Sequence, residues 1–377
     1  MLRVVLLAVA CAGCASVPPA ENTNVNSGPE LTVYEDGAEI SGTGFSMSFA
    51  KTGVRLPTSL IHGVEVFGES SCPTPSRAGV SIDPFQTAVG GRLFPSFDQS
   101  KNTLDVLMAG PAIVQIAVNY DVPYACAGPQ SLRGVATFTL SPSGRIVRTD
   151  TVQASTGQMI TDAAACTQTC NNMQRAATLE VFWAIRPNGV RSRADDMAIG
   201  PLAAADVMLS CAEYEEHTVA IEWSGMGRAT EPTLGGPLMY TQTLFDKQSA
   251  VSQAMHTSSS TILVAPGRET CSAMAKRMRL PPKLVFDDGT ARDVVLDAAG
   301  IYSDTTPRTR VELRPLADEA VNDGFAVRLD LDESTHVSVR HRDGSKIKHT
   351  VQPDGPNTVI WVEGGIAVSD AVIIEAL

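Results

Sequence analysis

The chain has 377 residues, of which 44% are hydrophobic, enough for packed cores and for about two to three domains. Its net charge is −12 at pH 7, and its few lysines are scattered. Without a basic stripe to neutralise a phosphate backbone, nucleic acid is excluded as a partner. An acidic surface also repels anionic lipid, so membrane attachment would need an apolar or covalent anchor.

An apolar leader opens the chain. After Arg3, the apolar run from Val4 to Ala12 has the length of a secretory h-region and is shorter than the about 20 residues of a membrane span. The following run, CAGCAS, resembles the lipobox of bacterial lipoproteins, where signal peptidase II cuts before a cysteine that carries diacylglycerol. That resemblance implies lipidation of Cys14, and Ala15 in place of Asp implies transport to the outer membrane.

Two alternatives remain open at the leader. The lipobox usually has Leu three positions before the lipidated cysteine, but this chain has Cys11 there, and Cys11 could itself be the modified residue. An ordinary leader cut after a small residue also fits, and the protein would then be soluble in the periplasm. In either case we expect a signal peptide over 1–14 and, because of its Pro, Asn, Ser and Gly content, a flexible tether over 15–30.

Six cysteines follow the leader. In an exported protein an even set is most simply three disulfides, with 15 possible connectivities that the sequence does not resolve. A zinc site would need closer Cys or His pairs, so we predict no metal. The disulfide candidates are Cys72, Cys126, Cys166, Cys170, Cys211 and Cys271.

The region 31–125 is predicted to be mostly β. Its start, ELTVYEDGAEISGTGFSMSFA, alternates apolar and polar residues around glycine turns. Further on, residues 103–120 are apolar and rich in β-branched side chains, which predicts buried strands broken at Gly110 and Pro111.

The region 126–215 is predicted to be an α+β module. Val135 to Leu140 alternate, SPSG forms a turn, and Arg145 to Val152 alternate back, which predicts a β-hairpin. Apolar residues then recur every three or four positions over 162–185, which predicts a helix that ends at Pro187-Asn188-Gly189. In such a helix Cys166 and Cys170 lie one turn apart, and a direct bond between them would strain it.

This hairpin, helix and FWAIRPNGV ending resemble the TonB C-terminal domain family over roughly 65 of the 377 residues. The resemblance implies a small periplasmic domain that contacts other proteins through an edge strand and performs no catalysis. The matching positions are Gly134, Phe138, Gly144, Val147, Trp183, Pro187 and Gly189.

The remaining chain divides into a second α+β region over 216–304 and a β domain over 305–377. The latter has short strands at regular intervals, with Asp343-Gly344 at a hairpin turn. The chain as a whole is therefore predicted to be α+β, mostly β and multi-domain, with a hairpin-helix-strand module and a C-terminal antiparallel β sandwich or meander.

Familiar catalytic motifs are missing from the sequence. There is no GxSxG, HExxH or GxxxxGK, so we predict no cofactor and assign no catalytic residue. Ser345 and Lys348 form an SxxK, but in a strand residues three apart face opposite sides. The acidic pairs at 195–196, 215–216 and 287–288 are typical of solvated loops.

Two functional hypotheses follow. The first is a lipid-anchored envelope protein without enzymatic activity, which binds another envelope protein or acts as a scaffold. The second is an exported hydrolase acting on cell-wall or carbohydrate substrates, because glycosidases built on two carboxylates leave no short motif. Geometry separates them: an exposed edge strand favours binding, whereas two carboxyl groups about 5 to 9 Å apart in a cleft favour hydrolysis.

Overall fold

In the computed structural model, the described part of the chain is a succession of β-strands with one short helix. The described residues are 28–35, 37–42, 45–50, 58–61, 64–67, 80–83, 86–89, 92–95, 101–123, 131–154, 166–172, 178–183, 192–193, 207–213, 218–224, 228–229, 237–243, 256–265, 267–278, 280, 283–286, 292–304, 306–315, 320–331 and 336–377.

The first part of the chain contributes strands β1 to β10, which are β1 Glu30–Val33, β2 Gly37–Gly42, β3 Phe45–Ala50, β4 Thr58–Ile61, β5 Val64–Phe67, β6 Val80–Asp83, β7 Gln86–Val89, β8 Arg92–Pro95, β9 Lys101–Met108 and β10 Val114–Pro123. The middle part contributes β11 Ser131–Leu140, β12 Ile146–Ala154, β13 Cys166–Asn172, β14 Thr178–Trp183, β15 Ser192–Arg193, β16 Val207–Glu213, β17 Thr218–Ser224, β18 Arg228–Ala229, β19 Pro237–Thr243 and β20 His256–Ala265. The helix α1 and the last strands follow, which are α1 Cys271–Met278, β21 Lys283–Phe286, β22 Arg292–Leu296, β23 Ile301–Asp304, β24 Arg310–Pro315, β25 Phe325–Leu329, β26 Val337–His341, β27 His349–Asp354, β28 Asn357–Val362 and β29 Val372–Ala376.

These strands form five sheets in the described part of the chain. The N-terminal sheet is a five-stranded meander in the order β1-β2-β3-β4-β5. The middle sheet has nine strands in the order β15-β14-β16-β17-β20-β12-β11-β10-β9, and the C-terminal sheet has nine in the order β26-β29-β24-β21-β22-β23-β25-β28-β27. The two smaller sheets have the orders β18-β19-β13-β6 and β7-β8. The predicted mainly-β class is therefore confirmed.

An aromatic contact joins the N-terminal sheet to the middle sheet. Phe49 of β3 meets Phe138 of β11 edge to face, with ring centroids 5.4 Å apart. Arg148 of β12 lies 5.6 Å from the centre of the same Phe138 ring and is itself buried. The aromatic pair favours close approach of β3 to the middle sheet, and the cation over the ring stabilises Phe138 within that sheet.

The predicted hairpin of the middle region is confirmed. β11 and β12 pair antiparallel from Leu140 opposite Ile146 outward. In the SPSG turn, Gly144 has φ 76° and its N–H donates to the carbonyl of Ser141 at 3.0 Å. A positive φ is readily adopted only by glycine, which explains this residue at the last position of the turn.

The predicted helix over 162–185 is wrong. Strands β13 and β14 occupy this stretch, paired antiparallel with β19 and β16 respectively. Thr and Cys in CTQTCNN and the aromatic and β-branched residues of TLEVFW favour a pleated surface. The apolar spacing of three and four residues was therefore misleading, and the hairpin-helix-strand order implied by the resemblance to the TonB C-terminal domain family is absent there.

Within 305–377 the described strands pair antiparallel, as predicted, whereas the described C-terminal sheet also contains a parallel pair that involves β23, which precedes this region. β23 and β25 pair in parallel, with Ile301 opposite Ala326 and Asp304 opposite Leu329. The chain between β23 and β25 forms β24, which pairs with β21 and β29 and not with β23. β25 then lies beside β23 and runs in the same direction. The sheet is consequently mixed, and it begins at β21, before the predicted boundary at residue 305.

The two end strands of the C-terminal sheet meet. β26 and β27 follow each other through the predicted turn at Asp343-Gly344, and the N–H of Ile347 donates to the carbonyl of Val339 at 2.9 Å. Nε2 of His349 also lies 3.1 Å from the carbonyl oxygen of Val337. The sheet thus curls back on itself around an apolar core of 18 buried side chains.

The middle sheet includes strands from each of the predicted regions 31–125, 126–215 and 216–304, and the division of the chain into those domains stays a prediction. Among the described residues, no helix has the length and apolar character required to cross a membrane.

Candidate functional site

Strand β9 forms one end of the middle sheet and has an open side. It pairs antiparallel with β10 from Lys101 opposite Asp121 to Met108 opposite Gln115. No other strand in the described part of the chain pairs with β9. Val106 and Leu107 are large apolar residues with 44% and 52% of their surface exposed. An unpaired strand of this kind presents free backbone N–H and C=O groups, and these form a template for another strand.

A β-bulge limits the usable length of this edge. The register shifts by one residue between Met108 opposite Gln115 and Val106 opposite Ile116, so Leu107 is the extra residue. A bulge twists the strand and interrupts regular pairing. The regular open edge therefore comprises residues 101–106, about 20 Å of extended chain.

Side-chain hydrogen bonds hold both β9 and the segment that follows it. The amide Nδ2 of Asn119 on β10 donates to Asp105 Oδ2 at 2.6 Å and to Thr103 Oγ1 at 3.3 Å. After β9, the N–H groups of Ala112 and Ile113 donate to Oε1 of the buried Gln352 at 3.1 and 2.9 Å. The segment that follows the edge is thus held against the C-terminal sheet.

The sequence-based expectation for this segment was partly wrong. Residues 103–120 were predicted to be buried, and β10 is buried through Val114, Ile116 and Val118. In β9, however, the residues 103–107 are exposed or half-exposed. Asp105, with Lys101 four positions before it, was the available signal, because charged residues in an otherwise apolar strand are typical of sheet edges.

A buried arginine joins the middle sheet to α1 and the C-terminal sheet. Arg145, 4% exposed, donates to the carbonyl of Arg277 at 2.7 Å and to Asp323 Oδ2 at 3.1 Å. Arg277 in turn pairs with Glu269 at 2.6 Å. Burial lowers the pKa of Arg145, and the neighbouring Asp323 opposes that shift. The Arg145 guanidinium thus connects the β11–β12 turn to α1 and to the C-terminal sheet.

A small cavity of about 10 Å³ lies beside this joint, lined by Arg145, Phe325 and Trp361 among others. This volume accommodates about one water molecule. It is too small for a sugar ring, so it provides no carbohydrate site.

A histidine-aspartate pair lies on the C-terminal sheet. His341 Nδ1 and Asp370 Oδ2 are 2.6 Å apart, and both side chains are about one-third exposed. An aspartate in this position orients an imidazole as in catalytic triads. The nearby hydroxyl of Ser345, however, donates to Asp343 at 2.6 Å, and hydrogen bonds from Ser345 lower the pKa of Asp343 below its usual 3.8.

The SxxK residues do not act together. Ser345 is bonded to Asp343, and Lys348 Nζ pairs with Glu363 at 3.1 Å. Each group therefore has its own partner, although both lie in the connection between β26 and β27 and not in a strand as predicted. Among the described residues, no group of three or more His, Cys, Asp or Glu side chains could hold a metal ion.

Two of the cysteines form a disulfide. Cys211 on β16 and Cys271 at the start of α1 are bonded, with their Cα atoms 5.6 Å apart, and both are buried. Glu213 reinforces this attachment, because its Oε1 accepts the N–H of Cys271 at 2.9 Å. The helix is thus joined to the middle sheet by a covalent bond and a charged cap.

The other predicted site residues have different outcomes. Cys166 and Cys170 lie four residues apart in β13, where extended chain separates their Cα atoms by about 13 Å, too far for a direct bond. Trp183 ends β14. The remaining positions lie outside the described residues, namely Cys11, Cys14, Cys72, Cys126, Pro187, Gly189 and the acidic pairs at 195–196, 215–216 and 287–288.

The sequence matches no protein-family model and none of the curated proteins. Among solved structures, the chain is similar to a galactose 1-epimerase from Lactobacillus acidophilus NCFM, with 10% identity, a TM-score of 0.35, and coverage of 64% of this chain and 99% of that one. It is also similar to an aldose epimerase homologue from C. elegans (9%, 0.31, 63% and 99%) and to an alpha-mannosidase from Enterococcus faecalis V583 (9%, 0.33, 94% and 42%). TM-scores this low carry no argument about fold or activity.

Proposed function

We propose that this chain is a non-enzymatic interaction protein of the bacterial cell envelope that binds a partner strand along the open edge of β9. The observation that carries the proposal is the unpaired side of residues 101–106, with Val106 exposed beside it. Strand addition at such an edge gains main-chain hydrogen bonds, and flanking side chains provide specificity.

The envelope location rests on the leader and on the disulfide. The lipobox-like run supports the proposal of a lipid on Cys14, with Cys11 as the alternative, and of attachment to the periplasmic side of the outer membrane. The Cys211–Cys271 bond is consistent with an oxidising compartment, because cytosolic thiols are kept reduced. A Cys14→Ser variant should lose labelling by a palmitate analogue, and persistent labelling would contradict the anchor assignment.

The edge is tested by site-specific photo-crosslinking in intact cells. A photoreactive residue at Val106 should give a discrete crosslinked product, because this side chain flanks the open edge. A matched probe at Val368, which is 48% exposed on the C-terminal part, serves as the control. Equal products at both positions, or none at Val106, would contradict the proposal.

The second candidate is an exported hydrolase acting on cell-wall or carbohydrate substrates. The proteins named above are epimerases and a mannosidase, and none of the three is named as a scaffold. Their similarity is too low to count as support, and no described carboxylate is assigned a catalytic role. Purified protein should leave the anomer interconversion of galactose and the integrity of cell-wall polymers unchanged, and an acceleration of either would establish this second candidate instead.

A further inference from the structure

The partner that fits the edge of β9 can be argued from the charges along it. The open stretch reads KNTLDV, with one basic and one acidic residue four positions apart. A strand that carries both charges symmetrically about a central residue is complementary to itself in the antiparallel direction. This self-complementarity is what a two-fold symmetric interface requires.

Resting on the proposed function, we propose that β9 pairs antiparallel with β9 of a second copy of this chain, with the two-fold axis at Thr103. In this register Lys101 lies opposite Asp105 of the second copy, and symmetry produces that pair twice. Opposite charges in directly facing positions stabilise an antiparallel pair.

Two other registers are disfavoured. A two-fold pairing centred on Lys101 places two lysines opposite each other, and one centred on Asp105 places two aspartates opposite each other. Like charges in facing positions destabilise a strand pair. Pairing cannot extend regularly past Val106, because the bulge at Leu107 interrupts the strand. Centring on Thr103 is the arrangement that pairs Lys101 with Asp105 twice, and it is the register we propose.

An apolar contact also favours this arrangement. Leu104 is half-buried and, in this register, lies diagonal to Leu104 of the second copy. Diagonal neighbours across a strand pair are within reach of long side chains, so each leucine would cover the other.

The experiment is sedimentation of the purified full chain over a range of concentrations, with charge-reversal variants. The wild type should dimerise, and Lys101→Asp or Asp105→Lys alone should raise the dissociation constant about tenfold or more, because each creates two repulsive pairs. The double variant should restore dimerisation, since the charges are only exchanged. Lys346→Asp, an exposed reversal on the C-terminal sheet, is the matched control and should have no effect.

Circular dichroism on each variant separates lost pairing from lost folding, and the milder Asp105→Asn should weaken pairing without repulsion. A chain that stays monomeric, or a double variant that fails to recover, would overturn self-pairing. If the chain is monomeric while the Val106 probe still crosslinks a different protein, the proposed function stands and only the second copy is wrong. If neither dimer nor crosslink forms, both proposals fail.

Discussion

The C-terminal and middle sheets each have nine described strands, yet their end strands differ in whether they contact another strand on their outer side. In the C-terminal sheet the end strands β26 and β27 meet where Nε2 of His349 lies 3.1 Å from the carbonyl oxygen of Val337, and Ile347, just before β27, donates to Val339. In the middle sheet, β9 has one paired side. Closure removes the template that an open edge presents. The comparison teaches that two sheets of equal strand number can differ in whether an end strand keeps an unpaired side, and our proposal assigns binding to the sheet that keeps one.

The largest expected loss of stability comes from a substitution in the core of the C-terminal sheet. Phe325, 1% exposed, meets Tyr302 edge to face with ring centroids 5.9 Å apart. Phe325→Ala should lower the free energy of unfolding by about 3 to 5 kcal/mol, because it leaves a cavity in a packed interior. Denaturant unfolding measures this. Val106→Ala on β9 is the control, expected to change stability by less than about 0.5 kcal/mol.

The next effect concerns the disulfide that joins α1 to the middle sheet. Replacing Cys211 and Cys271 together by Ala should lower stability by about 2 to 4 kcal/mol, since the bond closes a long loop in the unfolded chain. Calorimetry of the variant against the wild type, with and without reductant, checks this. A wild type whose unfolding is insensitive to reductant would show that the bond does not form.

Removing the ion pair between Arg145 and Asp323 should lower stability by a smaller amount. Asp323→Asn leaves the buried Arg145 without its charged partner and should cost about 2 to 3 kcal/mol, less than for a fully buried pair because Asp323 is 14% exposed. Replacing both residues, as Arg145→Met with Asp323→Leu, should recover part of that loss. If the single and double variants are equally unstable, the ion pair is not what holds this joint.

The smallest effect is a titration on the closed sheet. Hydrogen bonds from Ser345 depress the pKa of Asp343 in the folded chain. This contribution to stability is therefore present above the usual value of 3.8 and is lost as the pH falls through the lower folded pKa. Ser345→Ala should move the pKa of Asp343 upward, as NMR titration of its carboxyl carbon would show. An unchanged pKa would contradict the hydrogen bonds.

Local sequence signals predicted some elements and missed others for identifiable reasons. The turns at SPSG and Asp343-Gly344 were predictable because a turn position with positive φ is usually occupied by glycine, and the sequence has Gly144 and Gly344 there. The strand β13 was mistaken for helix because its partner β19 lies about 70 residues away and no local pattern reveals that pairing. The parallel return of β25 depends likewise on distant strands.

The candidate site illustrates the same limit. The apolar, β-branched composition of residues 103–120 predicted a strand there, and Asp105 was a signal of an edge. Which side of the strand is unpaired depends on the order of strands in the whole sheet. That order joins strands far apart in the sequence, so a local stretch of residues does not reveal it. The sequence left 15 disulfide connectivities open for the same reason, and the Cys211–Cys271 pair occurs in three of them.

Residue-resolved hydrogen exchange of β9 tests the binding edge most directly. In the isolated chain, every second amide between residues 101 and 106 should exchange rapidly, because its N–H points away from β10. In the bound state those same amides should become protected, while amides of the closed C-terminal sheet stay as they are. Equal protection of all β9 amides in both states would contradict binding by strand addition.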